Sequence, residues 1–134
     1  MFADDAALVT EVARWAEKAE SDLRMAALAL EHGGKKVPTD MVCYHAQQCI
    51  EKYLKALLTW RGIPFPRTHD ITELIARLPR RDRLALTVQE SEMLSRYATV
   101  TRYPGDYEPV SLTEARAAVR IARRLRKEIR PRLP

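Results

Sequence analysis

The sequence predicts an all-α protein, an up-and-down four-helix bundle with one additional short helix. Apolar residues recur at steps of three and four over most of the chain, which is the period of one face of an α-helix. The 8 prolines and 4 glycines gather in a few short patches, so the stretches between them are uninterrupted. The alternation of apolar and polar residues that marks a half-buried strand is not found.

The first two helices have the strongest patterns. From about residue 5 to residue 31, one apolar stripe is formed by Leu8, Val12, Trp15, Ala19, Leu23, Ala26 and Leu30. The glycines after His32 end this helix. The second helix begins around Pro38, Thr39 and Asp40 and meets no breaker before Gly62, so we expect it to be central and heavily buried.

Three further helices follow. Asp70 and Glu73 resemble a capping box and start a short helix that Pro79 stops. A weaker fourth pattern, broken at Pro104-Gly105, uses Leu86, Met93, Leu94, Tyr97 and Val100. Ser111 and Glu114 form the clearest capping box, with a staple from Val110 to Ala115. The last helix carries an Ala/Leu stripe along one face and a basic stripe along another.

Length and composition predict a single domain over residues 1–134, with its core at about residues 5–130. No apolar run has the roughly 18 residues of a membrane span, and the first residues include acids, so we expect a cytoplasmic protein. Cys43 and Cys49 lie about 240° apart on one helix and cannot bridge each other, which predicts buried, reduced thiols. No metal-ligand cluster or Gly-rich phosphate loop indicates a metal or another cofactor.

The net charge of +5 is concentrated at the end of the chain. Residues 111–134 hold 8 basic and 2 acidic side chains, whereas residues 1–110 hold 15 basic and 16 acidic ones. The basic stripe of the last helix comprises Arg116, Arg120, Arg123, Lys127 and Arg130. Such a stripe could bind RNA phosphates, or an acidic protein surface, which we favour because several of these arginines have acidic company elsewhere in the chain.

Three segments together resemble the signature of the HEPN domain family. They are CYHAQQCIEKYLKALL at 43–58, RTHDITELIARLP at 67–79 and SRYATVTRYPGDY at 95–107. The resemblance covers roughly residues 10–129, and its most distinctive part is a polar string inside the apolar second helix: Gln47, Gln48, Glu51, Lys52 and Lys55. It implies a HEPN-like helical bundle that commonly forms a homodimer. It also implies a partner, a minimal nucleotidyltransferase, in a two-gene module of toxin–antitoxin type.

Many HEPN proteins are metal-independent ribonucleases that pair an Arg with a His after four to six intervening residues. None of the three histidines, His32, His45 and His69, has an Arg at the required distance. By family position the nearest match is Arg102, which is followed by Tyr107 where a His would be needed. A phenol with an unperturbed pKa of about 10 is a poor general base at neutral pH. Ribonuclease activity therefore ranks second.

Three groups of residues are candidates for a site. His45, Gln48, Lys52 and Lys55 share one side of the second helix and could line a groove that binds a nucleotide or the partner. The alternative is that these polar residues have a purely structural role. Lys55 would then form an ion pair with Glu51, and the glutamines would hydrogen-bond neighbouring helices or a dimer mate. His69 precedes the Asp70 cap and is expected to tie the Pro-rich link to the bundle, with catalysis the weaker alternative. A third group could bind a phosphate and stack a base: Arg96, Arg102, Tyr103 and Tyr107.

These candidates allow three functions. The favoured one is a HEPN subunit that binds its nucleotidyltransferase partner, with Tyr103 or Tyr107 as the candidate acceptor of a nucleotidyl group. The second is a toxin ribonuclease using Arg102 with help from Arg96, Tyr107 or His69. The third is a module that binds a nucleotide or another anionic substrate in the groove of the second helix. A dimer contact would use apolar residues outside the core stripes, such as Trp60, Phe65 or Tyr97.

Overall fold

The structure is a computed structural model that describes residues 3–98 and 110–134, with side chains from residue 5 onward within those ranges. Five α-helices lie in these ranges: α1 (Ala3–His32), α2 (Thr39–Trp60), α3 (Ile71–Ala76), α4 (Val88–Ser95) and α5 (Leu112–Ile129). Short 3₁₀ turns follow at Gly34–Lys36, Arg80–Asp82, Arg96–Ala98 and Arg130–Arg132. The described ranges contain no strand. The all-α class is confirmed.

Helices α1 and α2 form an antiparallel hairpin at a tight glycine turn. The Gly33 amide donates to the Ala29 carbonyl at 2.9 Å, and a Cβ at Gly33 would lie 2.6 Å from that oxygen and 2.7 Å from a Val37 methyl. Gly34 adopts a φ of +56°, in the left-handed region that favours glycine. The predicted end of the first helix at these glycines is therefore confirmed, and each glycine has its own steric reason.

Helix α2 is the centre of the core, as its unbroken apolar sequence predicts. It packs most extensively against α1 and next against α5. Its fully buried side chains include Ile50, Tyr53, Leu54, Leu57 and Leu58. Burial of one such side chain contributes about 1.5–3 kcal/mol, so this helix supplies much of the hydrophobic stabilisation.

Helix α5 buries the apolar stripe that its sequence predicts: Ala115, Ala118, Ala122, Leu125 and Ile129. The small alanines allow its backbone to approach α2 closely. At its N-terminus, the Ser111 hydroxyl accepts the Glu114 amide at 3.0 Å, which is the Ser111 half of the predicted capping box.

The fourth helix is shorter than its sequence pattern suggested. Helix α4 has 8 residues and is followed by a 3₁₀ turn at Arg96–Ala98, so the described ranges contain three long helices and two short ones. Val100, the last residue of the predicted pattern, lies outside the described residues. Its start is set by a full capping box: the Thr87 hydroxyl accepts the Glu90 amide, and the Glu90 carboxylate accepts the Thr87 amide, both at 3.0 Å. This cap was missed because weak periodicity obscured the helix that it begins.

Tyr97 is a correction to the predicted dimer contact. Its side chain is only 7% exposed and packs into the core of this chain, so it is not available to a second copy. Phe65 packs edge-on against Trp15, with ring centroids 6.3 Å apart, and Trp60 is partly exposed. The homodimer stays a prediction.

The turn between α3 and α4 is held by a buried carboxylate. Asp82 is 1% exposed and accepts two hydrogen bonds from Arg61, at 2.7 and 2.9 Å. The Arg61 guanidinium holds the pKa of Asp82 below its ordinary value. This pair joins the end of α2 to the turn at Arg80–Asp82, a link that the sequence did not predict.

We expect Asp82→Asn to lower the free energy of unfolding by about 2 kcal/mol, because it leaves Arg61 with a neutral partner. The pKa of Asp82 is lower in the folded protein than in the unfolded chain. The stabilisation by this carboxylate is therefore present above the unfolded-state pKa and is lost as the pH falls through the folded-state pKa. Between about pH 6 and pH 2, urea unfolding should therefore show a smaller decrease in the free energy of unfolding for the variant than for the wild type. Glu92→Gln, on an exposed residue, is the control; equal pH dependence in all three proteins would contradict this account.

Candidate polar site on the second helix

Helix α2 buries a polar string among its apolar residues. Gln47, Gln48, Glu51 and Lys55 are all buried, at 0% to 7% exposure. Buried polar groups must find partners, and a buried charge must be paired. The arrangement of these side chains therefore shows whether the string forms an open groove or an internal network.

Glu51 is the acceptor for three donors. Its Oε1 accepts from Gln47 Nε2 at 3.1 Å and from His69 Nδ1 at 2.8 Å, and its Oε2 accepts from Lys55 Nζ at 3.0 Å. An ionised carboxylate only accepts hydrogen bonds, so Nδ1 of His69 carries a proton. The predicted ion pair of Glu51 with Lys55 is confirmed, and so is the predicted imidazole tie of the Pro-rich link to the bundle.

The two glutamines extend this network. Gln48 Nε2 donates to Gln47 Oε1 at 2.7 Å, and Gln47 Nε2 also donates to the His69 carbonyl at 3.1 Å. His69 is thus held by both its backbone and its ring. Because its side chain is 66% exposed while that of Glu51 is 3% exposed, the ring edge opposite Glu51 is presented to solvent.

Lys55 is enclosed by aromatic rings. Its ammonium lies 5.4 Å from the centroid of Trp15 and 5.9 Å from that of Phe65. Cation–π attraction of this kind is worth about 2 kcal/mol when the cation is desolvated. Lys55 therefore occupies an internal position between α1, α2 and the Pro-rich link.

A second carboxylate holds the remaining candidates on this face. Asp22 of α1 accepts from His45 Nδ1 at 2.8 Å and from Lys52 Nζ at 2.5 Å, and it is 8% exposed. Of the four candidates on this side, His45 and Lys52 bond to Asp22, Lys55 bonds to Glu51, and Gln48 bonds to the side chain of Gln47. Their role in binding a nucleotide or a partner stays a prediction. Asp22 lies on the same helical face as the buried stripe residues Ala19 and Ala26. An acid at such a position could have been recognised from the sequence, but it was missed.

His69 and Arg96 lie at one corner of the bundle. Asp70 caps α3 by accepting the Thr72 amide at 3.0 Å, and the same oxygen accepts from Ser95 Oγ at 3.3 Å. The bond from Ser95 to Asp70 brings the C-terminus of α4 to the N-terminus of α3. Arg96 directly follows Ser95 and His69 directly precedes Asp70, and both are exposed. Arg102, Tyr103 and Tyr107 lie outside the described residues.

Several arginines of α5 are neutralised by acids on other helices. Arg126 Nε donates to both carboxylate oxygens of Glu20, at 2.7 and 2.8 Å, and Arg130 donates to the same residue at 2.6 Å. Arg124 donates to Glu90 at 2.8 Å. Burial acts to raise the pKa of Glu20, but hydrogen bonds from Arg126 and Tyr53 and the charges of Arg126 and Arg130 together lower it. Within the predicted basic stripe, the expected acidic partner is therefore found for Arg130, whereas Arg124 and Arg126 lie outside that stripe.

Metal-binding and membrane-spanning features are not found in the described part of the chain. Residues 3–98 and 110–134 contain no group of three His, Cys, Asp or Glu side chains that could hold a metal ion. No helix in those ranges is long and apolar enough to cross a membrane. Cys43 and Cys49 are free and buried, as predicted, and burial raises the pKa of Cys43 to about 12, which makes its thiol unreactive at neutral pH.

Residues 12–131 match the HEPN domain family, and the chain belongs to that family. Two solved structures are similar over nearly their whole length. TT1696 from Thermus thermophilus has 28% identity and a TM-score of 0.76, covering 91% of this chain and 98% of its own. ST0689, an archaeal HEPN homologue, has 27% identity and a TM-score of 0.67, covering 92% and 98%. No curated protein matches the sequence significantly.

We expect Glu51→Gln to destabilise the protein by about 3 kcal/mol, because it leaves the buried Lys55 ammonium without its counter-charge. Lys55→Met removes the cation and is expected to suppress part of that loss in the double variant. A double-mutant cycle by urea unfolding should give a coupling above about 1 kcal/mol. If the two substitutions lower the free energy of unfolding additively, Glu51 and Lys55 are not energetically coupled, which would contradict this account.

Proposed function

We propose that this protein is the HEPN subunit of a two-component module of toxin–antitoxin type, and that it acts by binding a minimal nucleotidyltransferase. Membership of the HEPN family supports the proposal, as does a sequence without the Arg and His spacing of HEPN ribonucleases. The proposed partner brings the nucleotide, and this chain supplies the docking surface.

The observation that carries the proposal is the corner formed by His69, Asp70, Ser95 and Arg96. The imidazole is exposed yet fixed from behind by the buried Glu51 carboxylate. A preorganised surface loses little conformational entropy when a partner binds, which favours a specific interface. The corner also lies where the chain enters residues 99–109, which include the other candidate residues Arg102, Tyr103 and Tyr107.

Tyr103 and Tyr107 are the proposed acceptors of a nucleotidyl group. In that step the phenol oxygen attacks the α-phosphate of ATP, a bond to the phosphorus forms, pyrophosphate leaves, and the phenol proton passes to a base of the partner. Intact mass after incubation with the partner and ATP should increase by one or more AMP units. The increase should be lost in Tyr103→Phe/Tyr107→Phe.

We expect His69→Ala/Arg96→Ala to weaken binding to the proposed minimal nucleotidyltransferase partner by at least about tenfold, a loss of roughly 1.4 kcal/mol. The measurement is calorimetry with the purified proteins. His32→Ala/Arg24→Ala is the matched control, because it removes the same two side-chain types from exposed positions on α1. Absence of a complex with the wild type would overturn the proposal.

A metal-independent ribonuclease is the second candidate, favoured by one observation. Glu51 orients His69 through Nδ1 and leaves Nε2 toward solvent, the arrangement in which a carboxylate positions a catalytic imidazole. His69 would remove the proton of a ribose 2′-hydroxyl, whose oxygen would attack the adjacent phosphorus. The P–O5′ bond would break and the leaving 5′-oxygen would take a proton from water, giving a 2′,3′-cyclic phosphate and a 5′-hydroxyl. Arg96 or Arg102 would stabilise the phosphorane charge.

This candidate predicts cleavage of RNA in the presence of EDTA, and a loss of at least about 100-fold in His69→Ala, the usual size of a general base contribution. His45→Ala should retain the activity, and Arg102→Ala tests the arginine. Thermal unfolding of each variant separates lost chemistry from lost folding. RNA that stays intact with the wild type would remove the ribonuclease and leave the partner-binding function.

A further inference from the structure

An open cavity, here called the α1 cavity, lies between the first half of α1 and the turn that follows α5. Its volume is about 330 Å³, near the lower end of the roughly 300–1,000 Å³ of sites that bind small molecules. An apolar wall is formed by Val9, Val12, Ala13 and Ala16 of α1 and by Leu133. The four residues of α1 lie three or four positions apart and therefore share one face of the helix. Because two of them are alanines, this face leaves space for an apolar group of a ligand.

The α1 cavity also has a basic side. Arg130 lines it beside Glu20, to which its Nη1 donates at 2.6 Å. Glu20 also accepts from Arg126 Nε through both of its oxygens, so one carboxylate is shared by two guanidinium groups and one positive charge is in excess. A guanidinium has five N–H donors, and the bond to Glu20 uses one of those of Arg130. The side chain of Arg130 is 52% exposed, so its other donors are available to an anionic group of a ligand.

Glu17 gives the same cavity a free carboxylate. It lies three residues before Glu20 on α1, it is exposed, and no described residue forms an ion pair with it. Tyr53 of α2 also lines the cavity and is fully buried. Burial and the Glu20 carboxylate raise the pKa of its phenol, which is therefore uncharged at neutral pH. The α1 cavity thus combines an apolar wall, a guanidinium with spare donors and an unpaired carboxylate.

We propose that the α1 cavity binds a free α-amino acid with an apolar side chain. The ligand carboxylate accepts hydrogen bonds from Arg130, its ammonium donates to Glu17, and its side chain packs against the valines and alanines of α1. An apolar acid brings no cation to Glu17, and an apolar amine brings no anion to Arg130, so a zwitterion matches both groups. The site goes beyond the proposed binding of a nucleotidyltransferase and uses none of the residues of the corner at His69, so either proposal can fail alone.

The test is a titration of the full chain with L-leucine, followed by ¹H–¹⁵N correlation spectra. Saturable shifts are expected at the amides of Ala13, Ala16 and Leu133, with a Kd below about 1 mM. The acid 4-methylpentanoate and the amine 3-methylbutylamine each lack one of the two charges and should bind at least about threefold more weakly, since an exposed ion pair contributes little more. Glycine lacks the apolar side chain and should bind at least about tenfold more weakly.

A cavity-filling variant tests the location of the site. Ala13→Leu should weaken L-leucine binding at least about tenfold, because the new side chain occupies the space of the ligand side chain. The matched control is Ala7→Leu, the same change at a position of α1 that does not line the cavity, and it should keep the wild-type Kd. Both alanines are exposed, so both variants should also keep the wild-type thermal unfolding midpoint.

A charge variant tests the contact with the ammonium. Glu17→Gln should weaken L-leucine binding about threefold without weakening 4-methylpentanoate, which has no ammonium. Glu11→Gln removes the same charge from an exposed position of α1 outside the cavity and should leave both affinities unchanged. Absence of saturable shifts with L-leucine up to about 10 mM would overturn the proposal. So would equal affinities for leucine, the acid and the amine, or an equal loss of binding in a variant and its control.

Discussion

The buried Glu51 carboxylate is the interaction on which the rest of the polar site depends. An ionised carboxylate inside a bundle is costly unless donors surround it, and Glu51 receives three, from Gln47, Lys55 and His69. Two of these donors are one turn away on α2, and the third closes the Pro-rich link onto the helix. Trp15 covers the lysine from α1. One side chain thus fixes the relative positions of two helices and a connection.

The position of the corner follows from this network. The link is held at His69, so Asp70 can both cap α3 and receive the hydroxyl of Ser95. This bond joins the residue before Arg96 to the residue after His69, whose imidazole is held by Glu51. A partner surface and a cleavage site both need such fixed groups, which explains why family membership alone does not separate the two functions.

Sequence patterns predicted the three long helices, because their stripes and breakers are local properties of the chain. The pair of Glu51 with Lys55 was equally accessible, since residues four apart on a helix are neighbours. The sequence could not predict which polar residues of α2 bond to which carboxylate. Asp22 accepts hydrogen bonds from His45 and Lys52 only because of the register in which α1 packs against α2. Pairings between helices depend on that register, which no periodicity in one helix encodes.

The most direct measurement of the central claim is the tautomer of the neutral His69 imidazole, from ¹H–¹⁵N NMR correlations. Glu51 can only accept, so the account predicts a proton on Nδ1, protected from exchange, that is lost in Glu51→Gln. A His69 ring with its proton on Nε2 and the same spectrum in both proteins would contradict the network from which the corner is built.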